Sequence, residues 1–160
     1  MDIRLTQKRD WKLLKQARLA ALLDTPTAFG VSYGSALDNT DEQWQERADS
    51  STGTQFWLAL EGGNPLGMVG AVINNVGRCN LIGMWVHPAL RGSGVADQLV
   101  MGVKAFALRD GHSQVYLDVS PDNIGASRFY LKQGFVFIDE WEPLASYPHI
   151  NVQTMVWTAP

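Results

Sequence analysis

The sequence predicts an α/β (α+β) fold, with a mixed, mostly antiparallel central sheet of about seven strands and helices on both faces. Three strand-like runs follow one another between residues 54 and 87 with short turns between them, which predicts an antiparallel meander. A helical stretch then separates the third run from another strand, and a crossover of this kind joins parallel strands. Two further strand-like runs come after a second helical stretch. The predicted element order is therefore β-αα-βββ-α-β-α-ββ.

The composition is that of an ordinary globular protein. The 160 residues are 46% hydrophobic and 18% charged, so we expect one domain over 1–160 and not a disordered chain. A net charge of −3 disfavours nucleic-acid binding. The single cysteine, Cys79, cannot form an internal disulfide, and no apolar run reaches the roughly 20 residues of a membrane helix. We therefore expect a cytoplasmic protein that binds neither nucleic acid nor a membrane.

The first part of the chain is predicted to hold one strand and two helices. Residues 3–6 alternate as a short strand does. Asp10 is placed to cap a helix over 11–23, whose apolar residues repeat at helical spacing and which ends before Pro26. A polar helix is predicted over 41–48.

The remaining elements follow from alternation and turn signals. The predicted strands cover 54–62, 65–74, 78–87, 113–120, 135–141 and 150–157. One helix begins after Gly94 and stops at Gly111, since glycine is common just beyond a helix C-terminus. A second helix is predicted over 124–133.

The stretch "HPALRGSGVADQLV", His87 to Val100, places a cation and two glycines immediately before a helix. A helix N-terminus has unpaired N–H groups and partial positive charge, so Arg91, Gly92 and Gly94 suit an anion that approaches the backbone closely. The stretch lacks the Gly-Lys-Ser/Thr of a P-loop. Asp97 falls where a dinucleotide fingerprint has Gly or Ala, which disfavours a nicotinamide oxidoreductase. A plain strand-to-helix turn remains an alternative for this stretch taken alone.

A second segment, "NIGASRFYLKQGF", lies further along, from Asn123 to Phe135. Together with "WVHPALRGSGVADQL" it resembles the two hallmark segments of the GNAT superfamily of N-acetyltransferases. The predicted order of elements is also similar to that fold along nearly the whole chain. The resemblance implies acetyl-CoA as co-substrate, and it allows a homodimer because family members often dimerise. No metal is expected, since the three histidines lack the spacing of zinc ligands.

The resemblance also implies where acetyl-CoA binds. The strand that carries Trp85 and Val86 is expected to splay from its parallel neighbour, and the pantetheine arm would lie in the gap as a surrogate strand. Asn123 is expected to bond the same arm. The main-chain amides expected to face the pyrophosphate are those of Arg91, Gly92, Ser93, Gly94, Val95 and Ala96.

Tyr130 is the expected general acid. A phenol with an ordinary pKa of about 10 stays neutral beforehand and can protonate the departing CoA thiolate. The alternative for Tyr130 is a packing role on an amphipathic helix, which is the role expected of Phe129. A backbone N–H near Val86 is the candidate oxyanion donor.

The general base departs from the family pattern. Many members carry a glutamate on the strand before the phosphate loop, but "CNLIGMWVHP" holds no carboxylate. Asp118 on the neighbouring strand is the candidate base, drawing a proton through water. Its alternative is a solvent-facing strand residue, and an amine that arrives neutral needs no base.

The acceptor pocket is expected between the first two helices with their linker and the loop joining the last two strands. Acids among aromatics suit an amine cation, and the candidates are Phe29, Tyr33, Glu142 and Tyr147. We expect a small primary amine that attacks acetyl-CoA directly in a ternary complex. Peptide or protein amines remain an alternative acceptor. A non-catalytic acyl-CoA-binding regulatory module is a further alternative, and the missing strand glutamate favours it.

Overall fold

One seven-stranded sheet organises the protein, for which a computed structural model describes residues 1–160. Its strands are β1 (Asp2–Leu5), β2 (Gln55–Glu61), β3 (Asn64–Ile73), β4 (Cys79–Val86), β5 (Gln114–Val119), β6 (Val136–Leu144) and β7 (Tyr147–Thr158). The α-helices are α1 (Trp11–Asp24), α2 (Tyr33–Leu37), α3 (Asp41–Ala48), α4 (Val95–Arg109) and α5 (Ile124–Lys132). Across the sheet the strands lie in the order β1-β2-β3-β4-β5-β7-β6.

All neighbouring strands are antiparallel except β4 and β5, which are parallel. The parallel pair is the one that α4 connects, because a helical crossover returns the chain to the same end of the sheet. The mixed, mostly antiparallel fold class predicted from the sequence is therefore confirmed. None of the helices is both long and apolar enough to cross a lipid bilayer.

Each face of the sheet buries its own core. Side chains alternate along β2, so Trp57 packs into the core beneath α4, whereas Phe56 and Leu58 pack into the core beneath α1. Helices α4 and α5 cover the first face, and α1 to α3 cover the second. The helices thus lie on both faces, as predicted.

The start of α1 differs in detail from the sequence prediction. Asp10 occupies the N-cap position, but its carboxylate makes no hydrogen bond to the amides of α1. It instead accepts hydrogen bonds from two nitrogens of Arg4, at 2.7 and 2.9 Å, and from the N–H of Gln7 at 2.7 Å. The hydrogen bond from Arg4 is the main reason that the pKa of Asp10 lies below its usual range. The predicted capping role is wrong, because the guanidinium of β1 outcompetes the helix amides for the carboxylate.

The structure differs from the sequence prediction at two further places, helix α2 and the connection between β6 and β7. Helix α2 has only five residues, too few for a helical period to register, and Ser32 caps it through the N–H of Ser35 at 3.1 Å. The loop predicted over 142–149 is instead a hairpin in which β6 and β7 continue to a turn at 145–146. Most of β6 is exposed, so the alternation that marks a half-buried strand is missing there.

Candidate active site

The parallel strands β4 and β5 separate soon after they meet. Asn80 and Tyr116 form their one paired position, although both strands continue beyond it. The divergence opens the β4–β5 cleft, a cavity of about 1980 Å³ that also runs beneath the 91–96 loop and along α5. The splay that the resemblance implies is therefore present in this chain.

A bulge in β4 lies on the wall of the β4–β5 cleft. Gly83 has φ +59°, and the register between β3 and β4 shifts between Met68 and Gly70. A bulge redirects the strand that follows it, which here is the segment ending at Val86. The sequence carried a signal for this feature, since an isolated glycine within a strand is typical of a bulge.

Val86 turns its main chain toward the β4–β5 cleft. The N–H of the next residue, His87, donates to the carbonyl of Leu66 on β3 at 2.8 Å. Main-chain groups alternate in direction along an antiparallel ladder, so those of Val86 point away from β3. The Val86 carbonyl accepts a hydrogen bond from Nε of Arg91 at 3.2 Å, which leaves the N–H as the group available on this side.

The 91–96 loop has the backbone shape that its glycines suggest. Gly92 has φ +82° and Gly94 has φ +89°, a conformation that favours glycine. Gly94 is the N-cap residue of α4 and offers no side chain to the helix amides. A Cβ added at either glycine would meet no atom within 4 Å, so the space before the loop is open.

The amides of the 91–96 loop divide into two groups. The N–H groups of Arg91 and Ser93 donate to carbonyls just before the loop, those of residues 88 and 90, at 3.3 and 3.1 Å. The other four N–H groups have no acceptor within the chain; they belong to Gly92, Gly94, Val95 and Ala96. Unpaired donors at a helix N-terminus form a ready anion site.

The side chain of Arg91 forms an ion pair with Asp24. Its Nη2 pairs with Oδ2 of Asp24, the last residue of α1, at 2.5 Å. The indole N–H of Trp85 donates to the same oxygen at 3.1 Å. The bonds from Trp85 and Arg91 both lower the pKa of Asp24. Asp24 was not singled out in the sequence, because its partners lie more than sixty residues away.

Asn123 caps the helix that carries Tyr130. Its Oδ1 accepts the N–H of Ala126 at 3.2 Å, and the residue borders the β4–β5 cleft. The Oδ1 atom is thus committed to the helix, and the side-chain NH₂ group is the part left for a ligand.

Tyr130 combines a packed ring with an unpaired hydroxyl. The ring contacts Phe129 and Phe135 edge-on, with centroids 5.2 and 5.7 Å apart, and lies in the core beneath α4 and α5. The hydroxyl has no hydrogen-bond partner in the chain and is not among the polar atoms sealed from solvent. Tyr130 lines the cleft, and burial raises the pKa of its phenol. The geometry therefore holds a neutral O–H at the cleft wall.

The structure brings Asp118 and Glu142 together on the far wall of the cleft. Asp118 Oδ1 accepts a hydrogen bond from Oγ1 of Thr154 at 2.7 Å. The hydrogen bond to Asp118 and its negative charge raise the pKa of Glu142. We call these residues the Asp118–Glu142 pair. The sequence placed them in separate roles, since neither their pairing nor their common wall is encoded in local spacing.

The remaining acceptor-side candidates are divided by their positions. Phe29 is buried and lines the cleft. Tyr33 does not line it, because its ring packs against the core beneath α1. Tyr147 does not line it either, and contacts His149 with ring centroids 6.1 Å apart. These two tyrosines therefore lie outside the lining of the β4–β5 cleft.

Arg18 lines the cleft and was missed by the sequence analysis. Its Nη1 is buried without any hydrogen-bond partner. A signal was present, because Arg18 lies four residues after Leu14 and four before Leu22 on the buried face of α1. A cation at such a position calls for an explanation.

Cys79 on β4 has a packing role. It is fully buried in the core beneath α4, and desolvation raises the pKa of the thiol to about 11. The thiol thus stays protonated, which is not the state of a nucleophile.

The fold is that of an α/β transferase-like domain with a splayed sheet, and the unpaired amides at the cleft mouth form a site suited to an anion. Residues 19–135 match the acetyltransferase (GNAT) family, so the chain belongs to that family. It is similar to N-acetyltransferase 8B of Rattus norvegicus, with 33% identity over 99 residues. That match covers 59% of this chain and 45% of the rat protein, so the chain spans less than half of this relative.

Solved structures share the whole fold. An acetyltransferase of the GNAT family from Streptococcus pneumoniae superposes with a TM-score of 0.80 and 20% identity, covering 99% of both chains. The yncA protein of Salmonella typhimurium, solved with its cofactor acetyl-CoA, superposes with a TM-score of 0.74 and 18% identity. That match covers 100% of this chain and 94% of the other. At sequence identities of 18–20%, these superpositions establish a common fold and nothing further.

Proposed function

We propose that this chain transfers an acetyl group from acetyl-CoA to the primary amine of a small molecule by direct attack in a ternary complex. The observation that carries the proposal is the row of unpaired main-chain donors at the mouth of the β4–β5 cleft. In the reaction the amine nitrogen bonds to the thioester carbonyl carbon and the carbon–sulfur bond breaks. One proton leaves the amine, and one reaches the CoA sulfur.

The chain's own groups suit the two polar parts of acetyl-CoA. The amides of Gly92, Gly94, Val95 and Ala96 are free to hold the pyrophosphate, and the positive end of α4 favours its charge. Farther along the cleft, the N–H of Val86 and the NH₂ group of Asn123 are available to the pantetheine arm. Arg91 acts as a brace in this proposal, since Asp24 already neutralises its side chain.

Tyr130 is the proposed general acid. Its hydroxyl lies at the cleft wall without a protein partner, so it is free to donate to the departing sulfur. Because burial raises the pKa of the phenol, the proton is present throughout the physiological pH range.

The Asp118–Glu142 pair is the proposed acceptor of the amine proton. Two adjacent carboxyl groups disfavour double ionisation, which is why the pKa of Glu142 is raised. Such a pair both attracts an ammonium group and takes up a proton as the amine becomes nucleophilic. It therefore supplies the carboxylate that the preceding strand lacks.

Acetyl-CoA binding and turnover on an amine panel test the proposal together. Calorimetry is expected to show saturable binding of acetyl-CoA, and thiol release is expected to follow addition of an accepted amine. Binding without release on any small amine or peptide would favour the regulatory module. Release on peptides alone would move the acceptor to that class. The single domain, the cytoplasmic location and the homodimer stay predictions.

A further inference from the structure

Arg18 presents a guanidinium that no group of the chain satisfies. Its Nη1 is sealed from solvent without a partner, and its other nitrogens make no hydrogen bond and are not sealed. No carboxylate oxygen lies within 4 Å of it, since the ion pairs of the chain involve other residues. Arginine carries five N–H donors and cannot shed its charge readily, so an anion is the partner that this position lacks.

The surroundings of Arg18 oppose a positive charge. Burial lowers the pKa of its guanidinium, and the nearby charge of Arg47 lowers it further. Removing a charge from water without a counter-ion costs free energy, which an anion arriving in the cleft would offset. The folded chain thus holds a site that is electrostatically incomplete by itself.

The position of Arg18 connects it to the acceptor side of the site. Nη1 lies 3.2 Å from where a Cβ of Gly83 would stand, so the guanidinium abuts the bulge in β4. The ring of Phe29 lies under the guanidinium carbon at 5.1 Å. The edge of a guanidinium can donate two parallel hydrogen bonds to a planar carboxylate.

The opposite wall supplies the complementary charge. In β5, Leu117 and Val119 enter the core beneath α4, so Asp118 between them points to the other face, the face on which α1 carries Arg18. Thr154 pairs with Asp118, and Glu142 is opposite residue 152, two positions along β7, so the Asp118–Glu142 pair shares that face. One wall of the cleft is therefore cationic and the other acidic.

We propose that Arg18 binds a carboxylate of the acceptor, so that the acceptor is an amino-carboxylate whose amine faces the Asp118–Glu142 pair. The inference rests on the proposed function and narrows its substrate class. Arg18 would then fix the orientation of the acceptor, with the cost of its buried charge recovered only when a carboxylate is present.

The first test measures carboxylate binding without turnover. Benzoate, hexanoate and 3-phenylpropionate are added to the full chain, and the melting temperature is followed for wild type, Arg18→Met and Arg47→Met. At least one carboxylate is expected to raise the melting temperature of wild type and Arg47→Met but not of Arg18→Met. Arg47 is a matched control, because it is an exposed cation near Arg18 that does not line the cleft.

The second test measures specificity in turnover. A panel of L-amino acids is assayed with acetyl-CoA, each beside the amine that lacks only its carboxylate. Arg18→Met is expected to lower kcat/KM by about tenfold or more on the acids and by less than about twofold on the decarboxylated amines. Its affinity for acetyl-CoA is expected to be unchanged. The free variant is expected to melt at or above the wild-type temperature, whereas a purely structural arginine would lower it.

The outcomes separate the two proposals. Equal loss of kcat on acids and amines would mean that Arg18 acts on a step common to both substrates, and it would overturn the carboxylate site. Equal wild-type kcat/KM on each amino acid and on its decarboxylated amine would also overturn the carboxylate site. It would leave the acetyltransferase proposal intact. If no amine is acetylated, the thermal shift still decides: carboxylate stabilisation that depends on Arg18 upholds the site, and its absence removes it.

Discussion

A single hydroxyl distinguishes the catalytic role of Tyr130 from a packing role. The Tyr130→Phe variant keeps the ring contacts with Phe129 and Phe135, so its melting temperature and its affinity for acetyl-CoA are expected to match wild type. Loss of a general acid is expected to lower kcat by about 10²-fold or more. Steady-state thiol release and calorimetry on the same preparations measure the two effects.

Tyr116→Phe is the matched control for this variant. The Tyr116 hydroxyl bonds Gln114 at 2.9 Å, and the residue lies on β5 outside the cleft lining. Its removal is expected to leave kcat within about twofold of wild type. If Tyr130→Phe retained full turnover, the residue would have only the packing role that its helical position also allows.

The Asp118–Glu142 pair predicts a pH-dependent stability. The pKa of Glu142 is raised in the folded state, so its contribution to the free energy of unfolding is complete below its ordinary pKa of 4.5 and is lost as pH rises through the folded value. The glutamine of Glu142→Gln does not ionise, so the variant does not lose stability in this way as pH rises. It is therefore expected to gain stability over wild type between pH 4.5 and pH 7, and urea unfolding at several pH values measures the gain.

Glu140→Gln provides the comparison on the same strand. Glu140 pairs with Arg78 at 3.0 Å instead of with another acid. Its replacement removes an attraction, so no gain at neutral pH is expected. A gain of equal size in both variants would mean that net charge, and not the Asp118–Glu142 pair, sets the effect.

At the scale of single residues, the sequence predicted those site residues that belong to a local motif. Tyr130 was predicted because its helix has a recognisable signature, and its unpaired hydroxyl agrees with the proposed role. The link between Asp118 and Glu142 crosses β7, and the pairing of Arg91 with Asp24 joins α1 to the 91–96 loop. Neither spacing nor periodicity reports such through-space charge pairs.

At the scale of the element, the 91–96 loop joins backbone shape to ligand binding. A Gly94→Val variant places a β-branched side chain at φ +89° and in the open space before the amides. The strain is expected to cost about 1–2 kcal/mol of stability. The side chain is also expected to weaken acetyl-CoA binding by about tenfold or more, which calorimetry measures.

Gly77→Val separates strain from binding. Gly77 has φ +81°, lies in the turn between β3 and β4, and likewise has open space around it, but it does not border the cleft. It is expected to lose similar stability with unchanged affinity for acetyl-CoA. Equal affinity losses in both variants would show that Gly94 affects binding through stability alone.

Elements with a strong period were predicted well, and elements without one were not. Helix α4 and the strands of the meander followed from apolar spacing, because each buries one regular face. Helix α2 is a single turn and was missed. Strand β6 was predicted over 135–141, but its exposed continuation to Leu144 was not, because exposed residues carry no apolar alternation. The bulge at Gly83 could be predicted only in part. The glycine within the strand is visible in the sequence, but the register shift depends on the pairing with β3.

At the scale of the whole molecule, the two faces of the sheet carry different parts of the proposed site. The face beneath α4 and α5 supports Tyr130 and the loop amides, which serve the donor in the proposed function. The face beneath α1 carries Arg18 and, across the splay, the Asp118–Glu142 pair. Sequence reasoning predicted helices on both faces but not this division, because it depends on which way each strand residue points at the junction of β4 and β5.

The cleft joins both halves of the sheet, so donor binding is expected to stabilise the molecule as one unit. A ligand at about 100 times its Kd adds about 2.7 kcal/mol to the free energy of unfolding. For a domain of this size that corresponds to a rise in Tm of about 5–10 °C. Calorimetric melting with and without saturating acetyl-CoA is expected to show one cooperative transition that shifts by this amount. Two transitions, of which one does not shift with the ligand, would contradict the single domain, since β4 and β5 belong to opposite halves of the sheet and each supplies a wall of the cleft.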